Sequence, residues 1–177
     1  NLMNAPLTEN RDGQPLSPEQ VAFAIGQLAD ENAVFTVDTG MCVIWAARYL
    51  TLKKEQRLLA SYGHGSMANA LPQAIGAALA DPARQVIALC GDGGLTMLLG
   101  ELLTVVEQKL PVKLMVFNNA SRAMVYREMQ NAGYEPWGAT VENPDFGAVA
   151  RAMGLHGERV EKTEDIRSAV TRALEHD

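Results

Sequence analysis

Asp92 stands among glycines in Gly91-Asp92-Gly93-Gly94, directly after the apolar run from Gln85 to Cys90, and Asn118-Asn119 closes a second apolar run, Val112 to Phe117. A turn that follows a buried strand and opens a helix leaves backbone N–H groups unpaired and aimed at whatever lies in front, so it attracts phosphate. An aspartate conflicts with that ligand: a carboxylate about 5 Å from a phosphate charge costs roughly 3 kcal/mol per charge pair at an effective dielectric of about 20, more than the ~0.3–1 kcal/mol that a helix end returns. A cation between the two removes the conflict. Asn119 offers a neutral amide oxygen at the end of a neighbouring parallel strand, and the chain after it can turn a backbone carbonyl inward. Hard oxygen donors completed by diphosphate oxygens and water suit an octahedral Mg²⁺ better than zinc.

Two rival phosphate motifs fail on residues. A P-loop needs Lys after its last glycine, where this chain has Leu95 and Thr96. A dinucleotide fingerprint wants a third glycine at position 96, and it would not tolerate Asp92 beside an unneutralised pyrophosphate. For Asp92 the bland alternative is a helix-capping turn residue, and for Asn119 a local Asx-turn.

The run from Gly91-Asp-Gly-Gly94 through Asn118-Asn119 resembles the metal-diphosphate motif of thiamine-diphosphate enzymes, in the domain of that family that grips the diphosphate. The resemblance covers nearly the whole chain. Its longest stretches, Arg57 to Ala77 and Gln85 to Asn119, look most like the pyruvate dehydrogenase (quinone), or pyruvate oxidase, branch. It implies thiamine diphosphate and Mg²⁺ as cofactors, with Asp92, the Asn119 side chain and the Ser121 main-chain carbonyl as metal ligands. It also assigns Gly93 and Gly94 to the diphosphate. Thr39 and Gly40, at the end of the first strand and the same sheet edge as Asp92 in the expected fold, could donate to it as well; a plain strand-to-helix turn is the competing reading for these two.

In the resembled family Gly65-Ser66-Met67 meets the aminopyrimidine. The glycine carbonyl takes a proton from the 4′-amino group, and the large apolar side chain wedges the two rings into a V, which is catalysis by positioning. The bland reading is a turn with Met67 as a core gap filler. His64 is open between a proton shuttle and a polar residue closing the bend. Met124, Val125 and Glu128 fall where the family lines its substrate pocket, yet Arg122-Ala-Met124 replaces the expected Leu-Gly-Phe type of run. That departure bears on flavin reduction and leaves cofactor binding untouched.

The resemblance further implies a 2-oxo acid substrate, pyruvate first, decarboxylated with electrons passing to FAD held by another domain and then to quinone. An acetolactate synthase-type carboligase or a non-oxidative decarboxylase is the alternative, and a non-catalytic scaffold module is the alternative of another class. No catalytic residue is expected within the segment itself, because the activating glutamate comes from a pyrimidine-binding domain of the same or another subunit. A homo-oligomer is the expected assembly.

Bulk composition sets the frame for these residues. The 177 residues suit one domain, and the net charge of −6, from 15 basic and 21 acidic residues, argues against nucleic acid and gives no polybasic membrane patch. Membrane contact is expected only through a tail outside this chain. Cys42 and Cys90 make no disulfide framework, so a cytoplasmic setting is expected, peripheral to the inner membrane in the full-length enzyme if the resemblance extends that far. A chain that starts at Asn1 and stops at Asp177 reads as a segment of a longer polypeptide.

Residues 1–16 read as a linker or arm, and 17–177 as the domain. Ser17-Pro18-Glu19-Gln20 predicts a helix start with a capping box. Strands are predicted over 34–37, 85–90, 112–117 and 157–160. Helices are predicted after Asp38-Thr39-Gly40 through Tyr49, over 67–80, 95–109 and 146–153, and from the cap Thr163 to Glu175, with 121–131 a short helix or ordered loop. Strands apolar along their length, alternating with helices, predict an α/β fold: a doubly wound, mainly parallel sheet covered by helices on both faces.

Overall fold

The computed structural model describes residues 16–176. The predicted arm therefore lies, apart from Leu16, outside the described residues. In chain order the elements are α1 (Pro18–Leu28), β1 (Val34–Val37), α2 (Met41–Tyr49), β2 (Arg57–Ala60), α3 (Ala70–Ala80), β3 (Val86–Gly91), α4 (Asp92–Met97), α5 (Glu101–Glu107), β4 (Val112–Phe117), α6 (Ala123–Asn131), α7 (Phe146–Ala152) and, after a 3-10 turn at Thr163–Asp165, α8 (Ile166–Glu175).

All strand pairs are parallel, in the order β2-β1-β3-β4. β1 and β3 are central and buried along their length, with β-branched and apolar side chains alternating between two cores. Phe35, Val37, Ile87 and Leu89 face Ile25 and Ala29 of the α1 region, Ala46 of α2, and Ile166 and Val170 of α8. Val34, Val86, Ala88 and Cys90 face Ala70, Leu71, Ala74 and Ile75 of α3 and Leu102 and Val105 of α5. Helices thus cover both faces, as the apolar strands require.

The topology fixes where a ligand can enter. From β1 the chain crosses to β2 on one side, and β3 and β4 then extend the sheet on the other. The order of strands reverses between β1 and β3, and in open α/β sheets the crevice beyond the carboxyl ends at such a point receives the ligand. The residues leaving those two ends are Asp38-Thr39-Gly40 and Gly91-Asp92-Gly93-Gly94.

Several details differ from what the sequence predicts. β2 is an additional strand, whose residues alternate between exposed and half-buried as an edge strand's do. The helix expected over 95–109 begins earlier, at Asp92, and is broken at 98–100, where Leu98 N donates to Leu95 O in a 3-10-type turn and Gly100 lowers helix propensity by about 1 kcal/mol relative to Ala. The helix expected from Met67 starts at Ala70, because Ala68 takes a left-handed backbone with φ of 61°. Residues 157–160 join no ladder; Gly157 passes so close to Gly147 of α7 that a Cβ on it would lie 2.2 Å from the Gly147 carbonyl oxygen. At the other end, Ser17 precedes α1 as predicted but its hydroxyl donates to Glu19 rather than accepting from the helix backbone. No described helix is long and apolar enough to cross a membrane.

Candidate functional site

Register brings the two loops together. Gly91 at the end of β3 pairs with Phe117 at the end of β4, so Asp92 and Asn118 leave the sheet side by side. Asp92 is the first residue of α4 and only 3% exposed. Its Oδ1 accepts from Gly93 N at 2.8 Å, and its Oδ2 accepts from Asn143 Nδ2 at 2.7 Å. The same Asn143 nitrogen donates to Asn118 Oδ1 at 2.9 Å. Among the described residues no ion pair includes Asp92. A buried carboxylate held only by neutral donors is a costly arrangement unless a cation joins it.

The second loop is built from two consecutive Asx-turns. Asn118 Oδ1 accepts from Ala120 N at 3.2 Å and Asn119 Oδ1 from Ser121 N at 3.0 Å. The bland reading of Asn119 is thus realised in the backbone, yet an amide oxygen carries two lone pairs and the exposed Asn119 keeps one free of this turn. Ala120 is held at φ 52°, a conformation that L residues rarely adopt and that recurs where surrounding structure enforces it. What enforces it is a short antiparallel contact: Ser121 bridges Thr140, Arg122 N donates to Ala139 O at 2.7 Å, and Val141 N donates to Ala120 O at 3.0 Å.

Asp38 organises the first loop. It is 3% exposed; its Oδ1 accepts from Ala70 N at 2.9 Å and its Oδ2 from Gly91 N at 3.2 Å. One side chain therefore ties the end of β1 to the start of α3 and to the residue before Asp92. Burial holds its carboxyl above the usual carboxylate range, against backbone donors of Ala70, Gly91 and Asn69 that pull it down. Gly94 has to be glycine for the same reason, since a Cβ there would lie 2.4 Å from Asp38 Oδ2. Asn69 adds a second tie, its Nδ2 donating to Val37 O at 3.0 Å.

The turn before α3 reaches this crevice. Gly65 has φ of 62°, and a Cβ on it would lie 3.9 Å from the Thr39 methyl. A Cβ on Gly93 would lie 3.6 Å from both Met67 Cε and Arg122 Cγ, so the Met67 side chain ends at the glycine loop. Gly40 has φ of 145°, which suits glycine. Ser66 and His64 are exposed beside that turn. Met124, Val125 and Glu128 lie on α6, a helix with no buried residue.

The structure thus gathers Thr39 with Gly65, Met67 with Gly93 and Arg122, and Asp92 with Asn118. Met124 and Val125 lie on α6, two and three residues after Arg122. Asp38 and Asn143 are the site residues that the sequence reading lacks. Asp38 had a signal, an acid at the end of a wholly apolar strand; Asn143 had none, because only the pairing of 120–122 with 139–141 brings it near.

A divalent cation fits this donor set. Asp92 would supply a carboxylate, Asn119 an amide oxygen and Ser121 a main-chain carbonyl, all hard oxygens suited to Mg²⁺. Among the described residues no three or more His, Cys, Asp and Glu side chains come together so as to hold a metal ion, so the remaining coordination would fall to ligand oxygens and water. Both cysteines are buried. Cys42, whose Sγ lies 3.6 Å from where a Gly91 Cβ would be, has its thiol pushed up to about 12 by burial and by Asp38 and Asp92, and burial raises Cys90 as well.

A doubly wound sheet with an acidic glycine loop at its switch point and an Asn-Asn loop on the strand beside it defines a class of cofactor-binding domain. Residues 38–177 match the family described as "Thiamine pyrophosphate enzyme, C-terminal TPP binding domain". The chain belongs to that family. It is 36% identical over 163 residues to a putative thiamine pyrophosphate-containing protein, YdaP, of Bacillus subtilis, covering 92% of this chain and 28% of that protein. It is 35% identical over 173 residues to the acetolactate synthase large subunit of Cyanidium caldarium (96% of this chain, 29% of that protein). A probable acetolactate synthase large subunit of Methanococcus aeolicus is 32% identical over 174 residues (94% and 29%). The chain spans less than a third of the length of these relatives.

Proposed function

We propose that this domain holds thiamine diphosphate through Mg²⁺ in an enzyme that decarboxylates a 2-oxo acid. Asp92, the Asn119 side chain and the Ser121 carbonyl take the metal. Backbone N–H groups of Gly93 and Gly94, with Thr39 and Gly40 across the crevice, take the diphosphate. Gly65 offers its carbonyl to the aminopyrimidine, Ser66 flanks it, and Met67 supports the bend between the rings. Met124 and Val125 border the substrate. The cofactor, once bound, supplies the nucleophilic carbon and the electron sink for decarboxylation. This chain's side chains bind, orient and exclude water. The observation that carries the reading is the buried, unneutralised Asp92 beside the Asn118-Asn119 loop.

The product favoured is an acetolactate-type condensation of two 2-oxo acids, supported by the names of two of the relatives and by Met124 where the oxidase pattern has an aromatic. The oxidative reading, pyruvate to acetate with electrons passed to FAD and quinone, is kept by the resemblance of the run Gly63–Ala77. A pyrimidine-binding domain supplies the activating glutamate in either case, and assembly as a homo-oligomer goes with it.

Isothermal titration of the full-length protein with thiamine diphosphate and Mg²⁺ tests the binding role. Saturable, Mg²⁺-dependent binding abolished by Asp92→Ala is expected; binding unaffected by that substitution would reject it. Adding pyruvate then separates the products. Acetolactate accumulation supports the condensation, whereas bleaching of a bound flavin with acetate release supports the oxidase.

A further inference from the structure

Among the described residues, Asn143 makes the one hydrogen bond to the Asp92 carboxylate that comes from outside α4, and its amide nitrogen donates both to Asp92 Oδ2 and to Asn118 Oδ1. Its own placement is secured on both sides. Val141 is tied to Ala120 by a backbone bond of 3.0 Å, and Asp145 caps α7 by accepting from Ala148 N at 3.0 Å. Between them Pro144 confines Asn143 to extended backbone. The strap 139–145 thus delivers a neutral double donor to the junction of the two loops.

The consequence concerns the orientation of a carboxylate. The terminal torsion of an aspartate is broad and roughly two-fold, so a single bond from Gly93 N leaves the plane of the Asp92 carboxylate loosely set. The second bond, from Asn143 to the other oxygen, defines it, and the bond onward to Asn118 fixes the separation of the two loops. Charge matters as well. A lysine or arginine in this place would neutralise Asp92 and compete with a cation, and an acid would repel it. An amide orients the carboxylate while leaving its charge intact.

We propose that Asn143 is a positioning residue for the cation site: its amide bridge from Asp92 to Asn118 presets the carboxylate and the second ligand loop for a divalent metal. This rests on the metal role proposed above for Asp92 and Asn119. Partners that hydrogen-bond metal ligands typically contribute about 10–100-fold to metal affinity.

The test uses Mn²⁺ as the probe, with free ion counted by electron paramagnetic resonance, on the full-length protein with thiamine diphosphate present and at a temperature where every variant is folded. Asn143→Ala is expected to weaken Mn²⁺ binding by about 10–100-fold. Loss of metal-free stability alone, with affinity within twofold of wild type, would make Asn143 merely structural and overturn the proposal. Tighter binding would overturn it too, by showing that the amide blocks the site. A double-mutant cycle supplies a readout that a structural role would not move. Asn118→Ala should weaken Mn²⁺ binding less in the Asn143→Ala background than in wild type, because the bridge is already gone, and additive losses would refute the bridge. If the wild-type protein itself takes up no Mn²⁺, the metal role of Asp92 fails and this inference with it; if wild type binds and the variant matches it, only the inference fails.

Discussion

Gly93 and Gly94 are adjacent in sequence, both buried and both in the first turn of α4, yet the structure separates their roles sharply. A Cβ on Gly94 would lie 2.4 Å from Asp38 Oδ2, 3.0 Å from its Cγ and 3.2 Å from Ala68 N. Asp38 cannot simply retreat, because that same Oδ2 accepts from Gly91 N and Oδ1 accepts from Ala70 N. Losing one hydrogen bond to a buried charged group costs about 1.5–3 kcal/mol, overpacking adds about 1–3 kcal/mol, and replacing a helical glycine by alanine returns about 1 kcal/mol. Gly94→Ala should therefore destabilise the fold by roughly 2–5 kcal/mol. Gly93→Ala is the contrast. Its Cβ would meet Met67 Cε and Arg122 Cγ at 3.6 Å, ordinary van der Waals contact, so stability should stay within about 1 kcal/mol of wild type. Its proposed cost falls on the diphosphate, as at least a tenfold loss of thiamine diphosphate affinity. Urea denaturation followed by circular dichroism measures the first quantity and isothermal titration the second. Gly94→Ala as stable as wild type would refute the tie through Asp38, and Gly93→Ala with unchanged affinity would refute the diphosphate role of that turn.

Three further outcomes follow from burial and charge. Phe35→Ala empties a fully buried position between the sheet and the α1, α2 and α8 layer and should cost about 3–5 kcal/mol by the same denaturation assay. Because the folded Asp38 carboxyl lies above its ordinary value, the folded state holds that proton more tightly than the unfolded chain. This contribution favours folding at acid pH and is lost as pH rises through the raised folded value; Asp38→Asn should remove that part of the pH dependence, and an identical slope in both proteins would contradict it. With its thiol near 12, Cys42 should resist disulfide reagents in the native state at neutral pH, as should Cys90, and both should react at once on unfolding.

Much of this architecture could be read from the chain because the signals were local. The apolar runs ending at Cys90 and Phe117 are buried strands, and the glycine loop and the Asn-Asn pair lie at their carboxyl ends, as their order along the chain implied. What escaped depended on partners distant in sequence. β2 is four residues with one half-exposed side, and only pairing with β1 makes it a strand. Residues 157–160, predicted as a strand, pack against the start of α7 instead of a sheet edge. Met67 falls just before α3 rather than within it, since Ala68 is forced left-handed while Asp38 holds the first turn at Ala70. Asn143 entered through a single antiparallel bridge, which no periodicity announces.

In the proposed site one divalent ion joins Asp92 and Asn119 to the cofactor's diphosphate. Anomalous diffraction from crystals of the full-length protein grown with Mn²⁺ and thiamine diphosphate addresses it directly. A single strong peak is expected about 2.0–2.3 Å from an Asp92 carboxylate oxygen, the Asn119 amide oxygen and the Ser121 carbonyl oxygen. A peak elsewhere, or a bound cofactor whose diphosphate reaches these loops with no metal between, would contradict it.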